Sequence, residues 1–368
     1  MEETSFHGAK RRETRRVDVG GVAVGGGAPV SVQTMANADP HDREALLAQV
    51  RQSAAAGADI VRLTVPDEEA ARVFGLVRKD SPVPLVADIH FDWRLAVAAL
   101  ENGADALRLN PGNIGGAENV RAVARAASAR GVPIRIGVNG GSLEKDLIEK
   151  YGGASAPALV ESALRHAALL EAEDFRDIVI SVKASDVPRT LAAYRLLSSK
   201  TAYPLHVGVT EAGTLIPGLV RSAYAIGTLL AEGIGDTIRV SLTDLPSREV
   251  KAGLEILRAT GLRGPGPSVT SCPTCGRTKV DLVKAATETE EALEAFAREN
   301  PGVSLPRVAV MGCVVNGPGE AKHADIALCG GAGFFRAFVR GEMIPGDPVP
   351  PERAAEEVVR LVREFAGV

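Results

Sequence analysis

The stretch ADIVRLTV (58–65), DEEAARVFGLVRKD (67–80) and VPLVADIH (83–90) decides the fold. A short run rich in Val, Ile and Leu gives way to a segment whose apolar residues recur at helical spacing, and that segment to a second short run. This is the alternation of βα units around a parallel sheet. Outward in both directions the pattern repeats. The strand-like runs are VSVQTM (30–35), ADIVRLTV, VPLVADIH, DALRLNP (105–111), VPIRIGVN (132–139), DIVISVKA (177–184), PLHVGVT (204–210) and DTIRVSL (236–242), eight in all. Helices are predicted after them, among them HDREALLAQVRQSAAAG (41–57) and ENVRAVARAASARG (118–131), the latter closed by a C-cap glycine. Eight such units fit a (β/α)8 barrel of the TIM type, whose usual size is about 250 residues.

GLRGPGPS (261–268) ends the pattern with a Gly/Pro break. After it come a Cys-bearing turn, a helix over about 279–299, a strand RVAVMGCVV, strands around ADIALC and FFRAFV, and a last helix PERAAEEVVRLVREFAG. The expected organisation is therefore an N-terminal extension or hairpin (1–29), a barrel (30–262) and a smaller C-terminal α/β domain (268–368).

Composition narrows the function. Of 368 residues 45% are apolar and 24% charged, values typical of globular proteins, and the net charge is −4. No global positive field is available to hold DNA or RNA, so no nucleic-acid partner is expected. No run of about 18 uncharged apolar residues is present, and MEETSFHGAKRRETRR lacks an apolar export core, so the expectation is a cytoplasmic protein without a membrane association. Four cysteines are too few for a disulfide scaffold, which leaves metal or redox chemistry as the question.

Residues two apart on a strand share a face. Sorting by parity puts Ser31 and Gln33, Arg62 and Thr64, Asp88 and His90, Arg108 and Asn110, Arg135 and Asn139, Ser181 and Lys183, His206 and Thr210, Arg239 and Ser241 on one face of their strands. The other face must lie under helices, so these residues point into the barrel toward its C-terminal mouth, where barrel enzymes keep their sites. Five are cations: Arg62, Arg108, Arg135, Lys183 and Arg239, with Glu211 just beyond Thr210. Such cations can pair with Asp88 and Glu211, but five converging on one place call for a small, multiply charged anion, a diphosphate above all. His90 and His206 read equally as general acids or as hydrogen-bonded rim residues. No GxxxxGK[ST], strand-borne GxGxxG or GxSxG occurs.

Cys272 and Cys275 form C-x2-C, and 37 residues separate them from Cys313. Three thiols in two short loops suit zinc or an iron–sulfur cluster. The fourth position is open. Cys329 and His323 would close a zinc site, though Cys329 also reads as a small buried hydrophobe, and Glu320 is either a solvated loop acid or a hard, exchangeable ligand. Three readings stand side by side: a redox enzyme with a cluster, a non-redox barrel lyase or transferase for a phosphorylated ligand with a structural zinc, and a non-catalytic iron–sulfur or scaffold protein.

VADIHFD (86–92), LRLNPGNIG (107–115), PIRIGVNGGSLEKDL (133–147), SVKASD (181–186), GVTEAG (208–213), EGIGDTIRVSL (232–242), CPTC (272–275) and GCVVNGPGEA (312–321), in this order, resemble the bacterial 4-hydroxy-3-methylbut-2-enyl diphosphate synthase family of the non-mevalonate isoprenoid pathway. The resemblance covers nearly the whole chain. It implies a (β/α)8 barrel with a smaller α/β iron–sulfur domain, and a [4Fe-4S] cluster held by Cys272, Cys275, Cys313 and Glu320. It implies reductive ring opening and dehydroxylation of 2-C-methyl-D-erythritol 2,4-cyclodiphosphate to (E)-4-hydroxy-3-methylbut-2-enyl diphosphate. Flavodoxin or ferredoxin would donate the electrons, and the enzyme would be a homodimer in which one subunit's cluster domain caps its partner's barrel. Mapped onto the inward residues, it makes Arg62, Arg108, Arg135 and Lys183 the anion ligands, with Asn139, Thr210, Ser241 and Asp88 orienting. Glu320, Glu211 and His90 become the catalytic candidates, Glu211 ahead of His90 as proton donor. The chain departs from the family pattern at VQTMAN (32–37), at Thr214 and Pro217, and at Phe334 and Phe335.

Overall fold

In the computed structural model, residues 10–300, 302–313, 319 and 322–368 are described. The chain divides into two compact units between Arg263 and Gly264, inside the Gly/Pro break. No helix of the described residues is long and apolar enough to cross a membrane.

The first unit opens with a hairpin of β1 (Val17–Val19) and β2 (Val22–Val24). Eight parallel strands follow: β3 (Ser31–Met35), β4 (Ile60–Thr64), β5 (Leu85–Asp88), β6 (Ala106–Leu109), β7 (Ile134–Asn139), β8 (Ile178–Lys183), β9 (His206–Val207) and β10 (Thr237–Ile238). Their order is β8-β7-β6-β5-β4-β3-β10-β9, and a parallel bridge between Ile180 and Leu205 joins the two ends into a barrel. All eight expected strands are present. β9 and β10 pair over two residues each, shorter than their apolar runs, and single bonds such as Arg239 N–H to Val207 O continue them.

The period-two pattern explains the layers. Odd-numbered Val61, Leu63, Leu85, Ala87, Leu107 and Leu109 join Ile134, Ile136, Ile178 and Ile180 in the large core beneath the helices. The alternate residues Ile60, Val86, Ala106 and Val179 pack against Val17, Val19 and Val24 of the hairpin, which closes the N-terminal end of the barrel with apolar side chains. One step further along the same inward stripes stand Arg62, Asp88, Arg108 and Ser181. An apolar floor and a charged mouth are thus successive positions of the same strands.

Helices are set by their first residues. Asp42, Asp67, Asp92, Ser155 and Asp186 each accept a hydrogen bond from a backbone N–H two or three residues on, an N-cap worth about 1 kcal/mol. At the other end of the barrel a repeated device fixes strand starts. In GADIVRL (57–63), GADALRL (103–109) and GDTIRV (235–240), the aspartate accepts the N–H of a residue at the start of the neighbouring strand: Asp59 from Val32 at 2.7 Å, Asp105 from Leu85 at 2.8 Å, Asp236 from Leu205 at 2.8 Å. Each is also paired with an arginine, Arg263, Arg78 and Arg11 respectively. Three residues after each aspartate comes Arg62, Arg108 or Arg239.

The second unit is a five-stranded sheet of β11 (Val269–Ser271), β12 (Val308–Met311), β13 (Ile326–Gly330), β14 (Phe335–Val339) and β15 (Glu342–Met343), parallel through β13 and antiparallel beyond. Helix α1 of this unit (Leu282–Glu299) and the C-terminal helix (Ala354–Ala366) pack on one face through Phe296, Val308, Val310, Leu328 and Leu361. The opposite face carries Ala309, Met311, Ala327 and Cys329, with Cys272 against them. The strand expected over RVAVMGCVV ends at Met311: the chain tightens at Gly312, where a Cβ would lie 2.9 Å from Thr278, and Val314 and Val315 lie outside the described residues.

Asp236 holds both a strand N–H and Arg11 while 3% exposed. Asp236→Ala is expected to lower unfolding free energy by about 1.5–3 kcal/mol in urea titration, whereas alanine at the exposed, singly paired Glu13 changes it by less than about 0.5 kcal/mol.

Candidate active site

The inward stripes converge as the alternation requires. Arg62, Arg108, Arg135, Gly137, Asn139, Ser181, Lys183, Thr210, Arg239 and Ser241 line one inner cavity of about 70 Å3. A wider outer cavity, about 550 Å3, is lined by Ile89, His90, Phe91, Arg108, Asn110, Asn113, Asn139, Gly141 and Leu143. Arg108 and Asn139 belong to both, so the two spaces adjoin as floor and vestibule of one mouth.

Two carboxylates hold the cations. Asp88, 3% exposed, receives Arg108 Nη1 at 3.1 Å and stands 3.7 Å from Arg62 Nε. Glu249, also 3% exposed, pairs with Arg239 at 3.2 Å and accepts from Thr34 Oγ1 at 2.8 Å and Leu242 N–H at 2.9 Å. Arg108 further donates to Gly137 O at 2.8 Å, and Arg135 to Ser181 Oγ at 3.1 Å. Lys183 has no ion pair among the described residues. Five cationic side chains line the inner cavity and two carboxylates in its wall pair with three of them, a formal excess of three basic groups.

The titration behaviour follows from that crowding. Burial pushes Lys183 well below the ordinary ammonium range, and Arg135 and Arg239 push it further. Burial likewise lowers Arg135 far below its usual value, and Arg62 to about 10, in the second case against the pull of Asp88. Burial alone would raise the Asp88 carboxyl, but Arg62 and Arg108 overcome it and hold it below the ordinary carboxylate value. Asp88 therefore stabilises the fold fully above the ordinary carboxylate range and loses that contribution only as pH falls through its lowered folded value. An anion entering the cavity removes the mutual repulsion of the cations, the arrangement of a site organised for phosphate oxygens.

Glycine makes the room. A Cβ on Gly137 would come within 2.5 Å of Arg108 Nε, and one on Gly208 within 2.8 Å of Lys183 Nζ and 2.4 Å of Arg239 O. Both glycines sit at inward positions, so the long cationic side chains pass where neighbouring side chains are missing.

All the anticipated barrel residues have a place. Arg62, Arg108, Arg135, Asn139, Lys183, Thr210 and Ser241 line the inner cavity. His90 is exposed at the rim, its Nε2 3.5 Å from Arg108 Nη1. Asp88 lines neither cavity and braces the arginines from the wall. Glu211 is exposed, follows Thr210 with φ of +52°, and also lines neither cavity. His206 is fully buried below the mouth rather than on its rim. Glu320 lies outside the described residues. The sequence reading missed Glu249 because it sits on a helix, Pro246–Ala259. Its signal was an acid on the apolar face, between buried Pro246 and Val250.

In the second unit, Cys272 directly follows β11 and Cys313 follows β12, strands that are parallel neighbours with Ser271 opposite Val310. Gly312 N–H points at Cys272 Sγ at 3.4 Å. The backbone N–H of Arg277 holds the exposed Cys275 thiol below its usual value, aided by the Arg277 and Thr278 side chains. Donors aimed at sulfur favour thiolate, and this donor set fits an iron–sulfur cluster. Among the described residues no three His, Cys, Asp or Glu side chains by themselves form a closed metal set. Cys329 is 1% exposed, and burial raises its thiol to about 12, while His323 is exposed.

Comparison with known proteins agrees with this division. A family model described as the GcpE TIM-barrel domain matches residues 14–254, and one described as the GcpE protein C-terminal domain matches 268–364. The 4-hydroxy-3-methylbut-2-en-1-yl diphosphate synthase (flavodoxin) of Ruminiclostridium cellulolyticum is 53% identical over 97% of this chain and 99% of its own. Its namesake from Maridesulfovibrio salexigens is 54% identical over 97% and 99%. Among solved structures, a type I 3-dehydroquinate dehydratase from Clostridium difficile aligns with a TM-score of 0.50 at 14% identity, over 67% of this chain and 99% of its own. That likeness concerns the barrel fold alone.

Gly137→Ala tests the inner cavity. The nearest atoms to the new methyl are those of the Arg108 guanidinium, so it displaces that group from Asp88, and affinity for a diphosphate is expected to fall about tenfold or more by calorimetry with unfolding free energy lowered by about 1–2 kcal/mol. Gly208→Ala meets backbone and is expected to lose stability as well.

Proposed function

Because the chain belongs to the GcpE family of 4-hydroxy-3-methylbut-2-en-1-yl diphosphate synthases, we propose that its barrel binds 2-C-methyl-D-erythritol 2,4-cyclodiphosphate and that two electrons convert it to (E)-4-hydroxy-3-methylbut-2-enyl diphosphate. The enzyme is an oxidoreductase of isoprenoid biosynthesis. The observation that carries the substrate reading is the excess of positive charge in the inner cavity, which matches a small ring bearing two anionic phosphates.

Arg62, Arg108, Arg135, Lys183 and Arg239 hold the phosphate oxygens. Asn139, Thr210 and Ser241 orient the ring, and Asp88 and Glu249 keep three of the arginines aimed. The outer cavity receives the carbon skeleton beside Ile89, Phe91 and Leu143. Glu211 is the first choice for the proton delivered to the departing hydroxyl, and His90, which lines the vestibule, the second. Removing a hydroxyl from a substrate with no carbonyl to accept hydride calls for single electrons, and a [4Fe-4S] cluster held by Cys272, Cys275, Cys313 and Glu320 would supply them. Flavodoxin, named with the relatives, is the proposed donor, with ferredoxin as its substitute. The reading includes a cytoplasmic homodimer in which one subunit's cysteine-bearing unit serves its partner's barrel. The zinc-dependent, non-redox alternative is not favoured by the relatives.

Protein purified without oxygen is expected to contain about four iron and four sulfide per chain with a broad absorbance near 400 nm, and to form the product from cyclodiphosphate with reduced flavodoxin. One zinc per chain and no chromophore would refute it. Lys183→Met is expected to raise KM by about tenfold or more, with metal content unchanged.

A further inference from the structure

Below the inner cavity lies a second, smaller space of about 20 Å3, counted as room for the centre of a water molecule. Val19 and Val24 of the hairpin, with Ile60, Val86 and Val179, form its apolar wall. Its polar wall is Gln33, Arg135, His206 and Thr237, which are 4%, 6%, 0% and 3% exposed. Six of their atoms have no hydrogen-bond partner among the described residues: Gln33 Oε1, Arg135 Nε and Nη2, His206 Nδ1 and Nε2, and Thr237 Oγ1. Buried polar atoms left unpaired each cost about 1–3 kcal/mol, so four polar side chains that carry such atoms and line one space point to an occupant.

The chemistry of the wall identifies it. Arg135 offers only donors, whereas Gln33 Oε1 offers only lone pairs, so the occupant must both accept and donate. A neutral imidazole adds one donor and one acceptor. A halide or phosphate oxygen satisfies the arginine and repels the carbonyl oxygen. Water satisfies both, and one water needs about 10–15 Å3 of such room. Burial, and after it Lys183 and Arg135, holds His206 well below the ordinary imidazole range, which keeps that ring neutral.

Arg135 lines this space and the inner cavity as well, with Nη1 fixed on Ser181. We propose that the space is an internal hydration site whose water, held by His206 and Gln33, fixes the guanidinium of Arg135 from below and so aims it at the substrate's phosphate. His206 and Gln33 are then positioning residues. Their effect on turnover rests on the proposed function, whereas the hydration site itself does not.

A high-resolution crystal structure of the intact protein, soaked in bromide, tests the site. Water density within hydrogen-bond reach of Arg135 and His206, without a bromide signal, is expected. An anomalous bromide peak there, or a dry space between well-ordered side chains, overturns the proposal. His206→Leu removes both ring nitrogens, and is expected to raise KM for the cyclodiphosphate about tenfold with kcat within about twofold. His206→Gln, which can donate and accept, is expected to return KM to within about threefold. Equal KM values for the Leu variant and the parent, or no recovery with Gln, refute the positioning role. If the parent enzyme does not turn over cyclodiphosphate, the functional reading fails while the density still decides the hydration site.

Discussion

Like charges held close together in a space of low dielectric repel, and five of them share the inner end of this barrel with two bonded carboxylates. An unpaired charge taken out of water costs several kcal/mol. Asp88 and Glu249 lower that cost for three arginines, and Ser181 and Gly137 O take single hydrogen bonds from Arg135 and Arg108. Lys183 and part of Arg135 are left for a ligand. The site is therefore incomplete by charge, and an anion with several oxygens is what completes it.

The barrel tolerates that charge because its two ends do different work. At the N-terminal end, apolar side chains of the hairpin meet Ile60, Val86, Ala106 and Val179, and three aspartates tie strand starts to their neighbours. At the C-terminal end the same strands present cations. Stability comes from the floor and from the apolar faces under the helices, so the mouth is free to carry an unfavourable charge arrangement that binding relieves. The repeated Asp-x-x-Arg spacing in GADIVRL, GADALRL and GDTIRV joins both functions in one strand: its first residue closes the ladder and its fourth lines the inner cavity.

The second unit shows a similar division across a sheet. Large apolar residues of one parity bury themselves under two helices, and Ala309, Met311, Ala327 and Cys329 of the other parity pack with Cys272. Its cysteines stand in different surroundings. Cys329 pairs opposite Met311 within the sheet and burial raises its thiol, while Cys272 accepts the N–H of Gly312 from the end of β12 and the Arg277 N–H holds the Cys275 thiol below its usual value.

The eight strands, the break at 261–268 and the inward set Arg62, Arg108, Arg135, Lys183 and Arg239 were legible in the linear sequence, because strand periodicity is local and a parallel barrel allows only one face to look inward. Glu249 and the pairing of Asp88 with two arginines were not, since they depend on which helix and which strand become neighbours. His206 had the parity of a mouth residue yet lies a layer lower, for parity assigns a face and leaves depth undetermined. The amino-acid order by itself determined which side chains enter the barrel; only the tertiary structure decided how deep each one sits and which acid it meets, because those are set by strand stagger and by contacts between residues far apart in the chain.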